Sequence, residues 1–190
     1  MIGGGDLGMD STILWRRLDL PGHDACRLTE DDQGWTLEGT AVFHDQGPAR
    51  LDYRVEGGPG WRTRCGFVRG WIGNRSVQIE IRRGEDGAWI LDGKPLARPG
   101  DPADLDLGFT PATNLVPLRR LALAVGDASE APAAWLDVKA ERLELLAQRY
   151  ERRSESTYWY EAPGTGYADL LEVDALGFVR HYPRLWTAVA

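Results

Sequence analysis

The sequence is poor in the side chains that bind metals or carry redox chemistry. Its two cysteines, Cys26 and Cys65, do not form a Cys-x-x-Cys pair. We expect free thiols in the core, with a single disulfide as the alternative. Its three histidines, His23, His44 and His181, are far apart and have no ligand spacing. These absences argue against a metal centre, and the sequence predicts no cofactor.

Long apolar runs are also absent. No stretch reaches the roughly 18 to 20 apolar residues that cross a bilayer. Residues 1–12 lack both the cationic start and the apolar run of a secretory signal. We therefore predict no transmembrane segment and a cytoplasmic location. The glycines of residues 1–12 indicate a flexible leader, and residues 13–190 are long enough for a single mainly β domain with its own core.

Basic residues are outnumbered by acidic ones. The formal net charge is −7, whereas a nucleic-acid-binding protein needs a basic surface for the phosphates. The sequence therefore predicts no nucleic-acid partner, although an acidic total is compatible with a local basic pocket.

Recognisable catalytic motifs are missing as well. The chain has neither a Gly-x-Ser-x-Gly nucleophile elbow nor a phosphate-binding glycine loop. Asp104 and Asp106 would share one face of an extended segment, which fits either a solvated strand face or a general acid–base pair. An enzyme that acts on a small polar substrate, with Asn114 as a positioning group, is thus an alternative hypothesis. A protein-interaction module with an exposed sheet edge or aromatic patch is another.

The sequence does contain a series of alternating segments. Residues 51–56 and 76–82 place apolar and polar side chains on opposite faces, as antiparallel strands with one solvated side do. Turn sequences lie between such segments at residues 57–60, 73–75, 84–87, 92–93 and 163–166. About eleven strands result, too many for one flat sheet. The predicted fold is mainly β, with a strongly curved antiparallel sheet that forms a half-barrel or open barrel.

One or two short helices complete the predicted fold. Asn114 can act as an N-cap, Pro117 falls in the first turn, and Gly126 can end the helix. The alternative is a strand over residues 121–125. Residues 141–149 contain good helix formers, but the surrounding strands favour a strand there.

Tryptophan is abundant, with eight residues, and several tryptophans stand next to arginines. Strict alternation through residues 61–72, without a bulge, places five side chains on one face: Trp61, Thr63, Cys65, Phe67 and Trp71. The tryptophans either fill a wide β core or line a pocket with a few guanidinium groups at its mouth. Such a pocket would take an amphipathic anionic molecule.

Eight residues are candidates for binding a ligand in such a pocket. They are Trp61, Arg64, Trp71, Trp89, Asn114, Arg119, Arg120 and Tyr150. The two adjacent arginines have a second interpretation, because either one could form an ion pair with Asp104, Asp106 or Glu130.

The stretch DLDLGFTPATNLVPLRRLAL, residues 104–123, resembles the signature of a bacterial family that is labelled glycolipid-binding and was formerly a family of unknown function. The matching residues are Asp104, Asp106, Pro111, Thr113, Asn114, Pro117, Leu118, Arg119, Arg120 and Leu121. Flanking pieces at residues 61–64, 89–93, 148–152 and 173–183 also fit. The resemblance implies a curved half-barrel with a hydrophobic interior, similar to the carriers that shuttle lipoproteins. It implies non-enzymatic binding of a glycolipid or another lipid, and it carries over no catalytic residues.

Overall fold

The computed structural model describes residues 9–95 and 102–189, and of Met9 the backbone alone. Residues 1–8 of the predicted leader lie outside the described residues. The first strand begins at Met9 and pairs with the second from there on.

The described chain is built almost entirely of strands. They are β1 Met9–Arg17, β2 Gly22–Asp31, β3 Gly34–His44, β4 Pro48–Gly57, β5 Thr63–Ile72, β6 Arg75–Arg83, β7 Trp89–Leu91, β8 Lys94–Pro95, β9 Asp104–Asp106, β10 Ala128–Glu130, β11 Ala133–Asp137, β12 Arg142–Leu146, β13 Arg149–Arg152, β14 Thr157–Ala162, β15 Tyr167–Val173, β16 Val179–Tyr182 and β17 Trp186–Ala188. The helix α1 spans Leu115–Leu121, and 3₁₀ turns span Ala112–Asn114 and Pro163–Thr165. No helix among the described residues has the length and apolar character needed to cross a membrane.

Fourteen strands form one large antiparallel sheet. Its order is β10-β13-β14-β15-β16-β17-β1-β2-β3-β4-β5-β6-β7-β8. The first and last strands of this order do not pair, so the sheet is not closed into a barrel. The predicted fold class, a curved antiparallel sheet of the half-barrel type, is confirmed.

A second, three-stranded sheet has the order β12-β11-β9, and β9 runs parallel to β11. It packs on the inner face of the large sheet. Thr63 of β5 accepts a hydrogen bond at its hydroxyl from the backbone N–H of Leu105 (3.2 Å). A Cβ added to Gly66 of β5 would collide with the side chain of Leu105. The small sheet therefore touches the backbone of the large one.

The inward side chains of both sheets belong to a single hydrophobic cluster. The central strands alternate as the sequence predicts: in β2, Cys26 and Leu28 are buried, and Ala25 and Arg27 are exposed. Burial of apolar surface at about 25 cal/mol per Å² makes this cluster the main stabilising feature of the fold.

The predicted helix exists but is shorter than expected. It ends when Ala122 adopts a left-handed conformation (φ 45°) and its N–H bonds to the carbonyl of Leu118 (3.1 Å). Gly126 therefore does not end it. Asn114 occupies the N-cap position, but its side chain makes no capping hydrogen bond. The alternative strand over residues 121–125 is not formed, whereas the strand favoured within residues 141–149 is present as β12.

Candidate functional site

Three of the eight sequence candidates lie in the core. Trp89 is 5% exposed, and its indole Nε1 donates to the carbonyl of Pro102 (3.0 Å). Asn114 donates through Nδ2 to the hydroxyl of Tyr150 (2.9 Å), and that hydroxyl donates to Oε1 of Gln148 (3.0 Å). The hydrogen bond between Asn114 and Tyr150 therefore joins the 3₁₀ turn before α1 to β13.

The same network continues to Asp106. Its carboxylate accepts from the backbone N–H of Gly108 (2.7 Å) and, at 3.4 Å, from the side-chain amide of Gln148. Burial raises the pKa of Asp106 to about 6, against the lowering effect of these hydrogen bonds.

Arg120 forms an ion pair with Asp104. Its Nε and Nη2 atoms donate to the two carboxylate oxygens at 2.9 and 2.7 Å. Asp104 is 1% exposed, so the solvated strand face expected for it is wrong. Burial raises the pKa of Asp104 even though Arg120 opposes the shift. Both oxygens are engaged by one guanidinium, which is the arrangement of a structural pair.

Arg119 points elsewhere. Its Nη2 atom donates to Oε1 of Glu30 (2.7 Å), and its guanidinium carbon lies 4.7 Å from the ring centroid of Trp61. Trp61 in turn stacks on Trp35, with ring centroids 5.2 Å apart and planes inclined by 10°. Consecutive residues of a helix point in different directions, so Arg119 and Arg120 bind two different partners.

The loop that carries Trp61 also brings Arg64 nearby. The guanidinium of Arg64 lies against the backbone of Gly58, where an added Cβ would be 2.8 Å from Nη2. Trp61 itself has φ 56°, a conformation that costs a bulky residue on the order of 1–3 kcal/mol. Trp61 and Arg119 therefore contact each other, and Arg64 lies against Gly58 in the loop that carries Trp61.

A bulge changes the face on which Thr63 lies. Glu56 of β4 pairs with Cys65 of β5, but the next residue, Gly57, pairs with Thr63. The register therefore shifts by one residue between these two pairs. Arg64 is thus an extra residue on β5. The alternation predicted across residues 61–72 is wrong before the bulge and correct after it, where Cys65, Phe67 and Trp71 share the outer face.

A buried carboxyl group was missed by the sequence analysis. Asp24 is 0% exposed and accepts hydrogen bonds from the hydroxyls of Tyr53 (3.1 Å) and Thr110. Burial raises its pKa to about 6, against the effect of those two hydroxyls. The available signal was an aspartate at an inward position of an alternating strand.

Both cysteines are free, as predicted. Cys26 is buried, and burial raises its pKa. Cys65 is half-buried beside Glu56, and burial together with that carboxylate raises its pKa to about 11. Neither thiol is activated as a nucleophile. The described residues contain no group of three or more His, Cys, Asp or Glu side chains that could hold a metal ion.

A groove of about 1410 Å³ runs across the outer face of β1 to β6. Two adjacent rows of cross-strand neighbours form its floor. The first row contains Leu14, Ala25, Thr40, Asp52, Arg69 and Gln78. The second row contains Thr12, Arg27, Glu38, Arg54, Phe67 and Glu80. Sequence reasoning did not find this groove, because the rows are assembled by strand register.

Charges of both signs alternate along the groove. Five arginines and four carboxylates line it, so its net charge is close to zero although the chain is acidic. Asp52 organises the centre: it accepts from the hydroxyl of Thr40 (2.8 Å) and from Arg50 (2.8 Å), and Arg69 lies 3.9 Å away. Arg69 is the most exposed of these, with 82% of its side chain accessible. These groups therefore keep free hydrogen-bonding capacity towards the groove.

Apolar side chains interrupt this polar surface. Leu14 (42% exposed) lies at one end of the groove beside Val189 (43% exposed), whose N–H bonds to the carbonyl of Leu14. Phe67 (38% exposed) lies towards the other end. Trp71 (39% exposed) pairs across the strands with Arg50, which lines the groove, so Trp71 lies at the groove's edge. The groove is therefore amphipathic along its length.

The sequence matches the model of the family described as "Putative glycolipid-binding" over residues 12–188. Among solved structures, the chain is similar to a DUF1089 family protein from Pseudomonas aeruginosa, with a TM-score of 0.74 and 25% sequence identity. That match covers 97% of this chain and 93% of the other chain. No curated protein matches the chain. The resemblance predicted from residues 104–123 is confirmed.

Proposed function

The chain belongs to the family described as "Putative glycolipid-binding", and from this premise we propose that it binds an amphipathic ligand of the glycolipid class without transforming it. The ligand's sugar lies in the groove of the outer face. The observation that carries the proposal is the lining of this groove, which combines alternating charges with exposed apolar side chains.

The polar part of the groove suits a neutral polyhydroxyl group. A sugar presents hydroxyls that both donate and accept, and the groove offers guanidinium donors beside carboxylate acceptors across neighbouring strands. Its near balance of charge favours such a group over a strongly anionic one. The volume, about 1410 Å³, exceeds the roughly 300–1,000 Å³ of a typical small-molecule site.

The apolar part gives the groove two further contacts. The ring of Phe67 is exposed at the groove floor, where a sugar face can stack on it. Leu14 and Val189 form a small apolar surface at the other end, against which the first methylenes of an acyl chain can lie. Trp71 extends the aromatic surface at the groove's edge.

The ligand site lies on the outer face rather than in the interior. Trp89, Asn114, Arg120 and Tyr150 bind other parts of the protein, and the interior is packed with side chains from residues 102–121. Of the candidates from the sequence, Trp71 is the one that we assign to the edge of the groove.

Three probes test the proposal by isothermal titration calorimetry. Dodecyl maltoside below its micelle concentration carries both a sugar and a chain, maltose carries the sugar alone, and dodecylphosphocholine carries the same chain without a sugar. We expect saturable binding of dodecyl maltoside, with weaker binding of the other two.

Two groove variants and one matched control locate the site. Phe67→Ala and Arg69→Ala should each weaken dodecyl maltoside binding by about tenfold, which corresponds to about 1.4 kcal/mol. Arg142→Ala removes an exposed arginine of β12, outside the groove, and should leave the affinity unchanged. Equal binding of all three probes, or equal effects of the three variants, would show that the groove does not recognise the sugar.

A further inference from the structure

A third row of cross-strand neighbours lies on the outer face, beside the first row of the groove. It crosses β17, β1, β2, β3, β4 and β5 in register and consists of Thr187, Arg16, His23, Val42, Arg50 and Trp71. Direct cross-strand neighbours have Cβ atoms about 4.5–5.5 Å apart. These six side chains therefore form one continuous strip, which we call the outer row.

A bulge in β16 extends the outer row by two basic side chains. His181 lies directly opposite Thr187, and the register shift next to His181 leaves Arg180 as an extra residue of β16. Val179 and Tyr182 on either side are buried, whereas Arg180 is exposed and His181 is partly exposed. Both basic side chains are therefore turned away from the core.

The two arginines Arg16 and Arg180 have no partner within the described part of the chain. They make neither an ion pair nor a side-chain hydrogen bond there. By contrast, Arg17 and Arg27, which lie close to Arg16 on β1 and β2, both bind carboxylates. The guanidinium groups of Arg16 and Arg180 are thus available to an anion outside the protein.

Nearby carboxylates do not cancel this charge. Asp52 binds Arg50 (2.8 Å), so that arginine is already neutralised. Glu172 lies opposite His181, is exposed and makes no ion pair among the described residues. Arg16 and Arg180 therefore leave an excess of positive charge on this face, although the whole chain has a net charge of −7.

Exposed apolar side chains lie between these cations. Leu14 (42% exposed) and Leu18 (41% exposed) are two residues to either side of Arg16, so they share its face. Val42, at the centre of the outer row, is 51% exposed, and Trp71 ends the row. Cations mixed with aliphatic side chains and a tryptophan are typical of a surface that lies in the headgroup region of a membrane.

The dimensions of the outer row favour a surface over a single small anion. Six strands at a spacing of about 4.8 Å extend over about 24 Å, which is much longer than one phosphate group. The acidic remainder of the protein does not prevent the contact, because charges further than about 10 Å from a membrane are largely screened at 0.1 M salt.

We infer that the outer row docks on an anionic lipid surface. Arg16 and Arg180 bind headgroup phosphates, and the ring N–H groups of His23 and His181 add further donors. Leu14, Leu18 and Val42 lie against the lipid beneath the headgroups. This inference goes beyond the proposed function and does not rest on it, since the surface needs no glycolipid.

Flotation with lipid vesicles tests the inference. We expect the wild-type protein to float with vesicles of equimolar phosphatidylcholine and phosphatidylglycerol, and to remain unbound with vesicles of phosphatidylcholine alone. Added sodium chloride should weaken the binding, because it screens the attraction between the arginines and the headgroups.

One cationic and one apolar variant locate the contact. Arg16→Ala should lower the partition coefficient by about fivefold, as the loss of one cation at an anionic surface does. Leu18→Gln should lower it by at least about threefold, because an apolar contact with the lipid is lost. Circular dichroism checks that both variants are folded.

Two matched controls lie on β12 of the small sheet. Arg142→Ala changes the net charge as Arg16→Ala does, and Leu145→Gln removes a leucine that is 46% exposed. Both controls should bind the anionic vesicles as the wild type does. Equal losses in Arg16→Ala and Arg142→Ala would refute the inference, since total charge and not the outer row would then govern the binding.

Two further measurements separate docking from other binding. Titration with inorganic phosphate should give no saturable signal; phosphate binding that Arg16→Ala abolishes, without flotation of the wild type, would replace the lipid surface by a free anion. Arg16 does not line the groove, so Arg16→Ala should keep the wild-type affinity for dodecyl maltoside. A wild-type protein that fails to float with the anionic vesicles would overturn the inference, whatever dodecyl maltoside does.

Discussion

Among the described residues, Asp24 forms no ion pair with a cationic side chain. Its hydrogen-bond donors are the hydroxyls of Tyr53 and Thr110, and the rest of its surroundings are core. Burial therefore disfavours its ionised form, as its raised pKa of about 6 reflects. The residue makes the stability of the protein depend on pH.

The sign of that dependence follows from the two pKa values. The folded pKa of Asp24 is about 6, and the unfolded value is 3.8. Its contribution is fully present below the unfolded pKa and is lost as the pH rises through about 6. The loss amounts to about 3 kcal/mol at most. We expect urea unfolding between pH 4 and pH 7 to show a smaller loss of stability in Asp24→Asn than in wild type.

The exposed Asp32 provides the control for Asp24. Asp32→Asn should keep the wild-type pH profile, because its carboxylate is in solvent. If Asp24→Asn and wild type lost stability in parallel over this range, the carboxyl of Asp24 would not be the group responsible.

Arg120 and Asp104 form the second residue-scale feature. The side chain of Asp104 is 2% exposed and that of Arg120 is 18% exposed. Removal of the guanidinium leaves the buried carboxylate of Asp104 without its hydrogen-bonded partner, so Arg120→Ala should lower the free energy of unfolding by about 3 kcal/mol. Addition of Asp104→Asn to that variant should restore part of the loss, since no charge is then buried alone.

Chemical denaturation measures these effects, and Arg142→Ala is the matched control. The side chain of Arg142 is 58% exposed, with ion pairs to Asp137 and Glu144. Such surface pairs contribute about 0–1 kcal/mol. A similar small loss in Arg120→Ala would mean that the pair with Asp104 does not hold α1 in place.

At the scale of elements, β5 is the strand on which the small sheet rests. Gly66 leaves the space that the side chain of Leu105 occupies, and Leu105 is fully buried. A methyl group at residue 66 must displace Leu105 within a packed core. Gly66→Ala should therefore destabilise the protein by about 1–3 kcal/mol, measured by thermal or urea unfolding.

Gly60 lies in the loop before β5 and is the natural comparison. A Cβ there would meet nothing within 4 Å. Gly60→Ala should change the stability by no more than about 0.5 kcal/mol. Equal effects at the two glycines would show that contact between β5 and β9 does not limit the packing of the sheets.

Strands with one solvated face were predictable from the sequence, but the prediction from alternation fails at the start of β5. Alternation in β4 and β6 fixes which side chains face the core, because each polar residue must stay in water. The bulge at Arg64 leaves no mark in composition, since it depends on how β5 pairs with β4. The faces of Thr63 and Trp61 could not be assigned without it.

At the scale of the whole molecule, distant contacts decide the candidate site. Thr110 is 86 residues from Asp24, and Arg119 is 89 residues from Glu30. No local pattern marks such pairs. The groove has the same origin, because its floor consists of two residues from each of six strands, brought together by the strand register. Composition and alternation therefore predicted the sheet, while the locations of charge and of open space required the fold.

The two sheets and α1 share one hydrophobic cluster, so we expect the described domain to unfold as a single unit. Leu115 of α1 is 0% exposed at the centre of that cluster. Leu115→Ala should cost about 2–5 kcal/mol. Far-ultraviolet circular dichroism and tryptophan fluorescence should report the same shifted midpoint. Leu145→Ala, which truncates a side chain that is 46% exposed, should have a much smaller effect. Separate transitions for the two probes in Leu115→Ala would instead show that the segment covering the inner face folds independently of the large sheet.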